Sequence, residues 1–225
     1  MEEVRQIAII EIKGDIVNDD DKWIYDWFGV KATSPRDIKE VLAAIPRGES
    51  VDVLINSGGG DVFAGQEIYS VLRSCKTLKI QVQSLAGSAA GVIAMAGYCE
   101  ISPVAMIMIH NVSMQGASGD YHDMQKNAEI LKQMNAALAA AYTQKTGMAE
   151  EEILKLMDRE TWLTANQCLE YGFADKVIEP AIGQYTNSYN GVWLTDERRE
   201  QAIREKAERE TLKNQLLEDL DLYGV

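Results

Sequence analysis

Histidine is almost absent: the 225 residues hold two, His110 and His122. Any imidazole proton transfer near neutral pH falls to one of them. Cysteine is scarce too. Cys75, Cys99 and Cys168 have no paired spacing, which excludes a full disulfide framework and suits small core residues in a reducing compartment. Basic charge is in deficit, with 22 Lys and Arg against 35 Asp and Glu for a net −13. A nucleic-acid binder needs a basic face, and docking on anionic lipid needs the same, so both classes are excluded. No apolar run approaches the roughly 18 residues of a membrane span; the longest, AGVIAMAG, reads as a buried helix. EEVRQ near the start is charged, and IAIIEI is too short and too acidic for a signal-peptide core, so a cytoplasmic location is expected. With 46% hydrophobic and 25% charged residues, the composition is that of an ordinary globular protein, one domain plus an appendage. Neither a metal site nor a cofactor is expected.

What is present is glycine, in two stretches about thirty residues apart: INSGGGD at 55–61 and SLAGSAAGVIAMAG at 84–97. Each follows a short apolar run of strand character, VDVLIN and LKIQVQS, and each opens a helical pattern. A strand that breaks at glycine and re-enters as a helix exposes backbone N–H groups at the helix N-terminus. Two such breaks side by side can aim two N–H groups at one point, the geometry that holds a developing oxyanion. The second break carries Ser88 where a nucleophile would sit. A phosphate cradle is the alternative for INSGGGD, weakened by the absence of the P-loop lysine.

Strands and helices alternate along the chain. Strands are predicted over 4–12, 51–56, 78–84, 105–109 and in ADKVIE; helices over 35–45, 61–75, 88–97, 120–146, 149–157 and 165–171. Ser34, Pro35 and Asp37 form a helix start, and Thr164 with Gln167 a capping box. Residues 13–33, with NDDD, Trp23, Tyr25, Trp27 and Phe28, are predicted irregular. The alternation implies parallel strands joined by right-handed crossovers, an α/β fold. No G-x-G-x-x-G follows the first strand, so a dinucleotide-binding order is not supported. Past Pro180 the chain turns polar. From Thr195 charges alternate in sign at helical spacing, with a narrow stripe of Ile203, Ala207, Leu212, Leu216 and Leu220. Two domains follow, residues 1–180 and 181–225. The tail is either a surface helix on its own subunit or a partner-binding arm.

A serine hydroxyl needs a base to take its proton and a third group to hold that base. His110 ends the apolar strand MIMIH, where an imidazole can be fixed with one edge open; His122 lies in the polar segment DYHDMQKN. Taken singly, Ser88 reads as a helix cap and His110 as a core histidine. Their joint presence beside INSGGG favours catalysis.

INSGGGDVFAGQEIYSVL resembles the INSPGG segment of the Clp protease proteolytic subunit family. LAGSAAGVIAMAG is similar to that family's nucleophile segment, MIMIHN to its histidine segment, QGASGD and AEILKQMN to its handle region, and DRETWLTANQCLEYGFADKVI to its acid segment. Five matches run in the same order over roughly residues 50–179. ETW and IAMAG resemble the phage and prophage branch, often head maturation proteases.

The resemblance implies a spiral of repeated ββα units with a protruding helical handle at 120–146, stacked into homo-oligomeric rings. Ser88 matches the nucleophile, nine residues before Gly97; Ser84 is out of register. His110 matches the general base. The acid implied is Glu160, two before the aromatic Trp162, with Asp158 as fallback. The oxyanion donors implied are the N–H groups of Gly59 and Ala89, and Gly58 stands where the family usually has proline. Gly58, Gly60 and a strand-like lip through Gln115, Gly116 and Ala117 to Gly119 would bind peptide substrate by backbone pairing. The implied activity is serine endopeptidase, either processing capsid or scaffold proteins or working with an AAA+ unfoldase. Readings of another class are a crotonase-like acyl-CoA enzyme and a non-catalytic ring-forming assembly protein.

Overall fold

The computed structural model describes residues 7–46, 48–179, 200–201 and 203–211. The chain divides into two compact units, residues 1–180 and 181–225. In the first, the order is β1 (Ile7–Ile16), α1 (Lys22–Trp27), β2 (Ala32–Thr33), α2 (Pro35–Ala44), β3 (Ser50–Gly60), α3 (Val62–Arg73), β4 (Leu78–Gly87), α4 (Ala89–Ala94), β5 (Tyr98–Ile101), β6 (Met106–Ile109), α5 (Tyr121–Thr146), α6 (Glu150–Asp158), β7 (Thr161–Thr164), α7 (Ala165–Glu170) and β8 (Lys176–Val177).

The strands form one sheet in the order β2-β1-β3-β4-β5-β8. β4 forks: its first half pairs with β5 and its last residues, Leu85–Gly87, pair with β6. Every pairing is parallel except β6 with β7. The predicted α/β class with parallel strands is the one observed. Parallel sheets are usually covered on both faces, but here burial alternates along β3, with Val51, Val53, Ile55, Ser57 and Gly59 inward. The opposite face carries an exposed Ile9 and an Asp52–Lys79 ion pair at 3.1 Å. The core beneath the inward face gathers Ile12, Ile55, Ile68, Ile80, Ile93 and Phe173.

Helix starts follow the sequence. The Ser34 N–H donates to the Asp37 carboxylate (2.8 Å), and the Thr164 N–H and hydroxyl both donate to Gln167 Oε1. α5 buries Leu138, Ala139, Ala141 and Tyr142, all in its C-terminal half; its first turns stand clear of the unit.

Four elements lie where no element was predicted. α1 and β2 fall in the segment expected to be irregular, and β5 and β7 are four residues each, too short for a periodic signal. Residues 115–119, expected as a strand-like lip, form no strand among the described residues, and Gly116 and Gly119 have positive φ. In the second unit, residues 200–201 and 203–211 are helical and Ile203 is exposed. The predicted polar loop after Pro180, the stripe positions Leu212, Leu216 and Leu220, and the first residues of the predicted strand 4–12 lie outside the described residues.

Candidate active site

The fork in β4 builds the site. Gly87 pairs with Met108 of β6, and the Ser88 N–H donates to the Met108 carbonyl at 2.9 Å. Ser88 therefore leaves the sheet beside the end of β6, two residues before His110. The chain turns at once into α4, and Ser88 sits at φ 53°, ψ −122°. A serine at positive φ is costly, roughly 1–3 kcal/mol, and such strain concentrates where a side chain must be aimed. Ser88 is the residue before α4, yet its hydroxyl makes no capping bond. It meets the imidazole instead: Ser88 Oγ and His110 Nε2 lie 2.7 Å apart. Both residues are half-buried and line a cavity of about 260 Å³ with Val62, Val92, Leu138 and Tyr142. Leu138 and Tyr142 come from the anchored end of α5. His122 lies on the exposed start of that helix, stacked on Tyr121 at 3.8 Å.

The glycine loop at the end of β3 stands against this turn. Gly59 has φ +104°, and a Cβ there would fall 2.6 Å from Ser88 Cβ and 2.7 Å from the Gly87 carbonyl. Only glycine fits. Ser57 fixes the loop from below: its hydroxyl donates to the Gly14 carbonyl at the β1 irregularity (2.6 Å) and accepts the Gly59 N–H (3.1 Å). This corrects one expectation. The Gly59 N–H, expected to be free, is donated to the Ser57 hydroxyl, while Gly58, Gly60, Ser88 and Ala89 line the cavity. The Asp61 N–H donates to Ile16 of β1. Gly60, one residue earlier, lines the cavity with Ser88. Ala89 is the first residue of α4, so its N–H has no partner inside the helix.

The acid segment is arranged differently. Register between β6 and β7 pairs Ile109 with Thr161, so His110 and Glu160 are the next residues beyond the paired ends. The Glu160 backbone leaves the ladder there at φ 48°. Its carboxylate accepts the Trp162 indole N–H at 3.3 Å, and Asp158 accepts the Asn111 amide at 2.8 Å. Among the described residues, neither carboxylate is hydrogen-bonded to His110. Asn111 escaped sequence reasoning although it follows His110 directly; its Oδ1 is buried without a partner and its side chain lines the cavity.

Burial disfavours the thiolate at all three cysteines. Burial pushes Cys99 and Cys168 up to about 12, and Cys75 is also raised by burial. Among the described residues, no group of three or more His, Cys, Asp or Glu side chains converges to hold a metal ion, and no helix is long and apolar enough to cross a membrane.

The Clp protease family model matches residues 36–181, more than half of the chain. The chain belongs to the Clp protease family. Curated relatives agree. It is 34% identical over 157 residues to the ATP-dependent Clp protease proteolytic subunit 2 of Corynebacterium diphtheriae, covering 65% of this chain and 75% of the relative. It is 34% identical over 143 residues to proteolytic subunit 1 of Streptomyces avermitilis (62% and 65%), and 32% identical over 136 residues to proteolytic subunit 1 of Chlamydia trachomatis serovar D (58% and 71%). Ser88, His110 and the 158–162 segment all fall inside the matched family range; α1 and β2 fall before it.

Proposed function

We propose that this Clp-family chain is a serine endopeptidase in which Ser88 is the nucleophile and His110 the general base. The observation that carries the reading is the 2.7 Å contact between Ser88 Oγ and His110 Nε2 on a strained turn. His110 takes the hydroxyl proton as Oγ attacks the peptide carbonyl, then returns it to the leaving amine; water repeats the cycle on the acyl-enzyme. The N–H groups of Ala89 and Gly60, the latter in place of Gly59, stabilise the oxyanion. Each such donor supplies about 3 kcal/mol at the transition state. Glu160 is the orienting acid: it precedes Thr161, whose partner Ile109 precedes His110, and a side-chain rotation exchanges the Trp162 indole for the imidazole Nδ1. Asp158 is the fallback. The fold is a ββα spiral with α5 as its handle, and subunits assemble into a ring enclosing the sites.

Two routes of substrate supply fit this chemistry. The relatives' names speak for an AAA+ unfoldase feeding the chamber. The residues before 36 and after 181, outside the family match, speak for phage-type processing of capsid or scaffold proteins. A crotonase-like acyl-CoA enzyme needs two backbone donors but no Ser–His pair, and a non-catalytic ring protein needs neither. A fluorophosphonate probe separates these readings: labelling of the chain, lost in Ser88→Ala, is expected, and absence of labelling overturns the peptidase. Casein hydrolysis with and without an unfoldase and ATP distinguishes the two routes.

A further inference from the structure

The segment between β1 and α2 has no role in the chemistry above and lies outside the family match. It contains α1, which buries none of its residues. Trp23, Trp27 and Phe28 are exposed on one side; Tyr25 is half-buried on the other. Two bonds fix where the segment leaves the sheet. The Asp61 N–H donates to Ile16 (2.8 Å), and the Val17 N–H to Thr33 (3.1 Å). Ile16 is thereby tied to the end of the glycine loop, and Val17 to β2.

Between this segment and the middle of α5 runs a groove of about 940 Å³. Asn18 and Tyr25 stand on one wall; Ile130 and Met134 of α5 and Met114 stand on the other; the glycine loop is the floor. The groove opens into the Ser88 cavity, the two sharing Gly58, Gly60, Val62, Val112 and Ser113. An extended chain whose carbonyl lies at Ser88 must continue somewhere, and this groove is continuous with that point. Its charge is of one sign. Asp15, Asp21 and Asp61 line it and no Lys or Arg does. Among the described residues none of the three carboxylates is in an ion pair.

We infer that Val17–Tyr25 is a substrate-binding wall, and that it selects extended polypeptides carrying a basic side chain beside the residue held at Ser88. Tyr25 and the α5 residues hold the apolar part of the substrate, and Asp15 with Asp21 hold its cation. The inference rests on the peptidase reading for the identity of the occupant.

The test separates the two. Fluorescein-labelled ten-residue peptides, one with Lys and Arg, one with Glu in their place, are titrated by anisotropy against the assembled full chain carrying Ser88→Ala, so that binding is read without turnover. The basic peptide is expected to bind more tightly. Adding Asp15→Asn with Asp21→Asn should weaken it roughly fivefold, with Tyr25→Ala weakening both peptides. In the Ser88-intact chain, kcat/KM should fall for the basic ten-residue substrate and stay unchanged for a two-residue fluorogenic ester that reaches only the Ser88 cavity. Equal binding of the two peptides, or a charge variant without effect on the basic one, overturns the inference. Selective binding by a Ser88-intact chain that cleaves nothing overturns the peptidase and leaves the wall standing.

Discussion

Two segments flank His110, and they differ in how firmly the fold holds them. The nucleophile side is set by ladder bonds: β4 and β6 pair through Gly87 and Met108, and Ser88 is tied to Met108 by its own N–H. On the other side an exposed Glu160 with positive φ stands just before the four-residue antiparallel strand β7. Backbone bonds in a buried sheet leave one arrangement; an exposed carboxylate at a strand end has several partners of similar energy. On the proposed mechanism, the pair that exchanges the proton is thus built into the unit, while the proposed orienting acid is left adjustable.

The sharpest break of this comparison is on the rigid side. Ser88→Ala or His110→Ala should lower peptide turnover by roughly 10⁴- to 10⁶-fold with the assembled mass unchanged; activity persisting in His110→Ala would remove it from the mechanism. Gly59→Ala comes next. Its Cβ would fall 2.6 Å from Ser88 Cβ, so the serine must shift, and a displacement on the order of 1 Å costs about a hundredfold in rate. Turnover and probe labelling should fall together. On the adjustable side, Glu160→Gln should cut kcat strongly and Asp158→Asn little; the reverse order would move the acid to Asp158. Trp162→Phe, which deletes the donor now holding Glu160, should leave kcat intact or raise it a few-fold, and a large loss would show that the indole serves the active form. The smallest effect is on the thiols. With Cys99 and Cys168 pushed up to about 12 by burial, iodoacetamide near pH 8 should alkylate Cys75 first, as peptide mass mapping reads.

Legibility in the sequence followed the same division. The long periodic helices, the helix starts at Ser34 and Thr164, and the strands of the central sheet could be read because their patterns extend over several residues and bury one face. β5 and β7 could not, since four residues carry no period and their pairing comes from distant partners. α1 hid in an acidic, aromatic stretch because it buries nothing and so shows no apolar face. Ser88 and His110 were readable from local strings, being tied to a glycine break and a strand end. The N–H expected to be free at Gly59 is bonded to Ser57. Which of three consecutive glycines has its N–H taken depends on the Ser57 hydroxyl beneath them, and no spacing records that.

The order of residues by itself determined the α/β class, the two glycine breaks, the serine and histidine at the ends of adjacent strands, and the family. Local propensity and hydrophobic period decide these within a few residues. Only the tertiary structure decided that β4 forks and so brings the two side chains to 2.7 Å, that Gly60 rather than Gly59 lines the cavity, and that Glu160 has its carboxylate turned to Trp162. Those are consequences of pairing between strands far apart in the chain, where register and the satisfaction of buried donors fix geometry that no single segment contains.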